Sequence, residues 1–359
     1  SPDGSKIMLF GSKNTGPYRQ VDMITYRDRF AQSRKVSQYW GFPDEKINEE
    51  QAMFIAETSE DPSDAKKDGK PWEVFKWTGG EDFWGTSVND EPWSADSNQF
   101  VFGSYKRNSR QLEIQVADFE KRKVTTAFTT QYEGEPSSLA YAQPFFLPDG
   151  KRIMATLENT GYRQPWIVDP INTGASPLTK GEYETWPLRA TPDGKSLIVY
   201  SGKEHPGRMN LYRVDLASGE MTRVTTRGGQ YREDAAVSKD GTKAATMYAS
   251  WDGLPELTSV DLERPGKEQF LTKSHRDGFE KIIKIKPEMY SFKNRHGQTV
   301  YAHKILPPGF QKTDKRPLMV YVYGGPLGRG RTIVEGAFGS TEVLFANYMA
   351  YAMGYVCIA

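Results

Sequence analysis

Along the first three quarters of the chain, short apolar runs alternate with polar turns, and one turn keeps returning. Ser1-Pro2-Asp3-Gly4 precedes the run 6–10, Leu147-Pro148-Asp149-Gly150 precedes 152–155, Thr191-Pro192-Asp193-Gly194 precedes 196–200, and Ser238-Lys239-Asp240-Gly241 precedes 243–247. Ser94-Ala95-Asp96-Ser97 before 99–102 is a variant, and Phe42-Pro43-Asp44-Glu45 before 52–55 is a weaker sixth copy. Proline presets φ and Asp-Gly closes a tight turn, so the motif punctuates antiparallel strands. A second strand and a polar turn follow each copy, as in Leu211-Tyr212-Arg213-Val214-Asp215 and Leu112-Glu113-Ile114-Gln115-Val116. A third strand comes next, at 221–225 and 124–126.

The copies are 41 to 53 residues apart, close to the ~40–50 residues of a four-stranded propeller blade. An all-β sandwich has no reason to repeat one turn at near-constant spacing, so the pattern predicts a β-propeller over residues 1–275. Six blades are visible at most. Because the chain opens inside one, the expected ring has seven or eight. Residues 16–80 fit the repeat least well, and the polar stretch 57–70 reads as an exposed loop.

After about Lys273 the repeat stops. Runs at 289–293 and 299–306 flank a turn ending in Gly297, which predicts a hairpin. Residues 318–323 form a near-continuous apolar run of the kind buried on both faces of a parallel sheet. The run ends in Gly324-Gly325-Pro326, where the backbone must turn sharply. Residues 340–353 read as a helix with Val343, Leu344, Asn347, Ala350 and Tyr351 on one mixed face, stopped by Gly354. Residues 355–359 open another strand. Hairpin, strand, glycine turn, helix and strand predict the start of an α/β domain over 276–359. The final strand stops within an apolar run, so both ends of the chain read as cut.

Composition adds exclusions. The 359 residues are 37% hydrophobic, 26% charged and 13% aromatic, which argues against disorder. Lys plus Arg (47) nearly cancels Asp plus Glu (46), so charge gives no reason to expect nucleic acid or an anionic membrane as partner. The single cysteine, Cys357, excludes an internal disulfide without settling the compartment. No run approaches the ~20 apolar residues of a membrane span. Without an initiator methionine, no signal peptide can be judged. Oligomeric state is not legible.

Read together, the propeller pattern and the motifs Pro287-Glu288-Met289-Tyr290-Ser291-Phe292, Gly297-Gln298-Thr299-Val300-Tyr301, Ile305-Leu306-Pro307-Pro308 and Arg316-Pro317-Leu318-Met319-Val320-Tyr321-Val322-Tyr323-Gly324-Gly325-Pro326 resemble the prolyl oligopeptidase family of serine peptidases. Val-Tyr-Gly-Gly-Pro is most similar to its dipeptidyl-peptidase IV branch, although Leu327-Gly328-Arg329-Gly330-Arg331 departs from the usual continuation. The resemblance is close over 285–359 and architectural over 1–273.

That resemblance implies a serine exo- or oligopeptidase acting on short peptides, with the propeller restricting access to an α/β-hydrolase domain. Two alternatives stay open: an α/β-hydrolase with esterase or acyl-peptide specificity, and a propeller that binds without catalysis. No Gly-x-Ser-x-Gly elbow occurs in the sequence, so the catalytic serine, aspartate and histidine are expected beyond Ala359 and this polypeptide alone is expected to be inactive. The resemblance further implies that Tyr323 donates its hydroxyl to the tetrahedral oxyanion, a role worth about 2.7–4 kcal/mol. Packing at the strand end is the other reading of Tyr323. Glu49-Glu50 invites comparison with the branch's glutamate pair for a peptide amino terminus, but the residues from Lys46 to Met53 do not otherwise match, and the role is not carried over. His205, His275, His296 and His303 show no metal-ligand spacing, and neither metal nor cofactor is implied.

Overall fold

The computed structural model describes residues 1–14, 19–25, 30–38, 49–58, 70–78, 85–106, 110–132, 142–231, 235–322 and 341–359. It divides into two compact units, Ser1–Gln131 and Tyr132–Ala359. Both are built from successive small sheets, and strand is the dominant regular structure among the described residues, 51% against 5% helix.

Each repeated turn leads directly into a strand, and the Leu147, Thr191 and Ser238 copies join two neighbouring strands of one sheet. In the last copy, Ser238 Oγ donates to Asp240 Oδ1 (2.6 Å), which also accepts the Thr242 N–H (3.0 Å), while Ser238 Oγ accepts the Lys243 N–H (3.0 Å). The Thr191 copy repeats these three bonds at 2.6, 3.0 and 3.0 Å. The Ser1 and Ser94 copies repeat them too. Leu147 has no hydroxyl to offer, and there Arg152 grips Asp149 through both its N–H (3.0 Å) and its Nε (2.5 Å). The glycines at 4, 150, 194 and 241 sit at φ between 66° and 74°, the left-handed region that favours a residue without Cβ. The donors hold the carboxyls below their ordinary range: Asp240 falls to about 2, chiefly through the Ser238 hydroxyl and then the Thr242 N–H. Asp193 falls through Thr191 and the Lys195 N–H.

A second aspartate closes the same end of the sheets that carry the Ser94, Thr191 and Ser238 copies. Asp215 lies opposite Ser196, Asp118 opposite Gln99 and Asp261 opposite Lys243 in the strand register. Asp215 Oδ1 accepts the N–H groups of Ala217 (3.0 Å) and Ser218 (2.7 Å), and Asp261 does the same for Glu263 and Arg264.

In the first unit, Lys6–Asn14, Glu49–Glu57 and Trp72–Thr78 form one antiparallel sheet. Gly85–Ser87, Gln99–Lys106, Gln111–Asp118 and Lys123–Gln131 form a second. Met53, Ile55 and Val74 of the first sheet pack on Phe100, Phe102, Ala117 and Phe119 of the second. The expectation of a sixth repeat is corrected here. Phe42-Pro43-Asp44-Glu45 lies outside the described residues, and Glu49–Glu57 does not open a sheet: it is the second strand of the first, with Met8 opposite Ile55. The extra chain between Asn14 and Glu49 carries a separate hairpin, Arg19–Thr25 with Gln32–Gln38. Of the expected loop at 57–70, residues 59–69 lie outside the described residues.

The second unit continues the pattern. Phe145–Phe146, Ile153–Leu157, Gln164–Asp169 and Gly174–Pro177 make one four-stranded sheet. Thr185–Ala190, Ser196–His205, Arg208–Asp215 and Met221–Arg223 make the next. Gln230–Tyr231 and Ala236–Val237 then join Lys243–Ala249, Glu256–Asp261 and Glu268–Phe270 in a third, linked to the preceding sheet by a single parallel pairing of Met209 with Gln230. The sheets pack face to face, and the middle one is buried on both sides. Leu197 and Val199 meet Phe145, Leu147 and Met154 of the sheet before. Ile198 and Tyr200, one residue out of phase, meet Tyr231, Ala244 and Val260 of the sheet after. Side chains alternate across a strand, so a run buried at every position is what a sheet sandwiched between two others requires.

The segment after the last of these sheets forms a different sheet, in the order Glu288–Lys293, Thr299–Ile305, Val356–Ile358, Leu318–Val320. The hairpin turns at Asn294–Gly297 as expected. Leu318–Val320 runs parallel to Val356–Ile358, and the helix Thr341–Met353 lies between them in sequence. Two expectations need correction. The apolar run is strand only over Leu318–Val320, and it is not buried on both faces: Leu318 and Val320 are 57% and 56% exposed. It is the last strand of its sheet among the described residues, and the helix covers only the face carrying Met319 and Cys357. The helix itself turns inward Ala346, Asn347, Met349 and Ala350, leaving Leu344 and Tyr351 exposed. Small side chains at 346 and 350 let it approach the sheet more closely than the larger residues could.

Candidate functional site

Tyr323 and Gly324-Gly325-Pro326 lie outside the described residues. The strand leading to them is anchored by the Tyr321 N–H, which donates to the Ile358 carbonyl at 2.8 Å. Glu50 is drawn to a local partner, Lys76, at 3.9 Å across the first sheet. The histidines stay dispersed. His205 Nδ1 accepts the Gly207 N–H at 2.9 Å, His275 stacks on Phe279, and His296 sits in the hairpin turn. His303 is buried on its strand, where desolvation lowers its pKa. Among the described residues no three His, Cys, Asp or Glu side chains converge as a metal site. No described helix is long and apolar enough to cross a membrane.

What the sequence did not single out lies at the hairpin ends of the sheets, opposite the aspartate turns. In the second unit these ends face the C-terminal segment: the His205 ring meets Tyr301 edge-on, centroids 5.3 Å apart. Beside that contact is a cleft of about 440 Å³, lined by Arg208, Arg227, Gly228, Gly229, Tyr248, Ser250, Trp251, Asp252, Phe270 and Lys286, within the ~300–1,000 Å³ of small-ligand sites.

Its floor is glycine for a reason. Gly229 has φ 115°, and a Cβ there would come within 2.6 Å of the Ala249 carbonyl oxygen. The Tyr248 hydroxyl donates to the Gly228 carbonyl and pins the link in place. One wall is a ladder of rings, Tyr231 to Tyr248 (5.0 Å) to Phe270 (5.7 Å). Arg227 lies over Phe270 at 4.5 Å, and its Nε is 3.4 Å from the buried carboxylate of Glu268. Burial, then the Glu268 charge, drives the Tyr231 hydroxyl pKa far up, so it remains protonated.

A second cluster occupies the hairpin end of the Ile153–Leu157/Gln164–Asp169 pair. The Arg163 side chain is 6% exposed; its Nε donates to Glu158 at 2.9 Å and its backbone N–H donates to Glu184 at 2.9 Å. The guanidinium also lies 5.7 Å from the centroid of the Trp186 ring. A buried guanidinium paired with one carboxylate, its own main-chain N–H held by a second, fixes a geometry more than it adds stability. Neither cluster has a spacing signature, since its members come from three or more separate turns.

Comparison with known proteins converges on one family. Residues 85–255 match the dipeptidyl peptidase IV (DPP IV) N-terminal region. Dipeptidyl-peptidase 5 of Porphyromonas gingivalis is 25% identical over 344 residues, covering 91% of this chain and 47% of that protein. Dipeptidyl peptidase 4 of Bos taurus is 28% identical over 228 residues, covering 60% and 30%. The crystal structure of Porphyromonas gingivalis dipeptidyl peptidase 4 superposes with a TM-score of 0.71 at 14% identity, over 100% of this chain and 48% of that one. The chain thus spans less than half the length of the curated relatives it matches. These matches fit a chain of the prolyl oligopeptidase family, dipeptidyl peptidase IV-like within it.

Proposed function

We propose that this chain supplies the access-controlling propeller, residues 1–275, and the opening of an α/β-hydrolase domain, residues 276–359, to a serine peptidase that hydrolyses short peptides. The observation that carries the reading is the 25% identity to a dipeptidyl-peptidase over 91% of the chain. The face-to-face packing of successive four-stranded sheets supports a propeller, because each sheet buries both faces only by having a neighbour on either side. The parallel strand–helix–strand unit at 318–358 supports the start of an α/β sheet.

In this reading Tyr323, at the end of that apolar run, donates a hydrogen bond to the oxyanion, and its value comes from being fixed before the charge develops. The 359 residues hold no Gly-x-Ser-x-Gly, so the nucleophile and its base are assigned to other sequence of the intact protein. Folded proteins are excluded by the width of the path through or beside the propeller, and peptides are the substrates. The test is an assay of the intact protein against dipeptidyl-proline, blocked acyl-peptide and ester substrates. Cleavage of dipeptides from free amino termini, abolished by a serine-directed fluorophosphonate, supports the reading. Turnover of esters alone, or no turnover, overturns it.

A further inference from the structure

We propose that the cleft between Arg208, Arg227 and Lys286 is a carboxylate-binding subsite that takes the free carboxyl terminus of a short peptide, with an apolar or aromatic side chain against its ring wall. Calling the ligand a peptide rests on the peptidase reading; calling it a carboxylate does not.

The charge balance points this way first. Among the described residues, three cationic side chains and one carboxylate, Asp252, line the cleft, and that carboxylate already accepts the Ser250 hydroxyl at 2.7 Å. Arg227 is held for the task. Glu268, its side chain only 3% exposed, engages Nε at 3.4 Å, and the Phe270 ring supports the guanidinium at 4.5 Å. Glu268 Oε1 is meanwhile occupied by the Thr226 N–H. Among the described residues the two Nη atoms of Arg227 make no further hydrogen bond or ion pair. A guanidinium anchored by one edge presents the other as a fork that matches a carboxylate. Lys286 approaches from the C-terminal segment as a mobile point charge and forms no ion pair among the described residues, so the site has cations on two sides.

The remaining walls fit the rest of a peptide terminus. Tyr248, Trp251 and Phe270 offer apolar ring surface with little side-chain entropy to lose, while Gly228 and Gly229 let a ligand approach the main chain. A larger anion such as a nucleotide would gain from the same cations, but the glycine link here leads into a strand rather than a helix, and so lacks the N-terminal dipole that cradles phosphates. The cleft also lies on the side of the sheets that meets the C-terminal segment, as the His205–Tyr301 contact and Lys286 itself attest.

Binding can be measured on the 359-residue chain without turnover, by titration calorimetry with N-acetyl-Ala-Phe and with its carboxy-terminal amide. The acid is expected to bind at least tenfold more tightly, with an affinity that falls as salt rises. Arg208→Gln with Lys286→Met should weaken the acid about tenfold and erase the difference from the amide. Gly228→Phe is the occluding variant, because a Cβ at 228 meets nothing within 4 Å; it should abolish binding with the melting temperature unchanged. Equal binding of acid and amide, no binding of either at millimolar concentration, or discrimination that survives the double variant overturns the proposal. If the Phe variant melts early, the double variant decides alone. Failure of the peptidase reading shows elsewhere, as absent hydrolysis by the intact protein with acid-selective binding retained.

Discussion

Asn347 bonds Ile285 as a neighbouring strand would: its Oδ1 accepts the Ile285 N–H at 2.8 Å, and its Nδ2 donates to the Ile283 carbonyl at 2.7 Å. One buried side chain on the helix thereby satisfies two main-chain groups of the segment that leads out of the last repeated sheet. Leaving a buried polar group unpaired costs about 1–3 kcal/mol. Asn347→Leu is therefore expected to destabilise this segment by about 2–4 kcal/mol and to speed amide exchange at Ile285 markedly. Exchange at Ile285 unchanged from the parent would count against the bond having this role.

The aspartate turns predict a pH response. Asp193 and Asp240 titrate below the ordinary carboxylate range because hydroxyl and N–H donors favour their charged form. Unfolded, the same groups titrate near ~3.9. The stability they lend is therefore complete above about pH 5 and is lost as pH falls through the folded values, toward about 2 for Asp240. Asp193→Asn with Asp240→Asn should lower the melting temperature at pH 6 and flatten its decline between pH 5 and 2. Parallel melting curves for variant and parent across that range would refute this.

Because the strand Ser196–His205 is packed on both faces, substitutions at adjacent positions should be equally costly. Ile198→Ala and Leu197→Ala are each expected to lose about 2–5 kcal/mol, measured by chemical denaturation. In a strand with one solvent face, one of the two would be nearly silent.

Tyr323→Phe keeps the ring and removes the proposed donor. In the intact protein it should reduce kcat about 10²–10³-fold with little change in KM. A change confined to KM would assign the hydroxyl to substrate binding instead.

Gly229→Ala should close the cleft floor. Its φ of 115° and the 2.6 Å approach to the Ala249 oxygen leave no room for Cβ, so the link must move off the strand. Loss of the acid-over-amide preference, together with a lower melting temperature, is the expected result.

The strand pattern was legible because it is written locally. Proline, aspartate and glycine at fixed offsets determine a turn by their own chemistry, whereas an apolar run alone does not fix burial: residues 197–200 are packed on both faces and Leu318 and Val320 are exposed. Glu49–Glu57 misled because a strand's place in a sheet depends on which partner it finds, and its partner lies across an inserted hairpin. The helix face misled for a related reason. Hydrophobicity favoured Leu344 and Tyr351, whereas close approach to a three-residue strand favoured Ala346 and Ala350. The cleft left no trace in the sequence, since Arg208, Arg227, Trp251 and Lys286 are ordinary letters in four separate segments, and only strand pairing brings them together.

The aspartate turns all lie at one end of their sheets, and the lengths there hardly vary. At the other end the connections run from two residues, between His205 and Arg208, to the stretch between Asn14 and Glu49 that carries a whole hairpin. The scaffold thus separates what must stay constant from what can change. Insertions, deletions and new charges can accumulate on one rim while the turns that set the strand register are never rewritten, so such a chain can acquire a new specificity without having to learn to fold again.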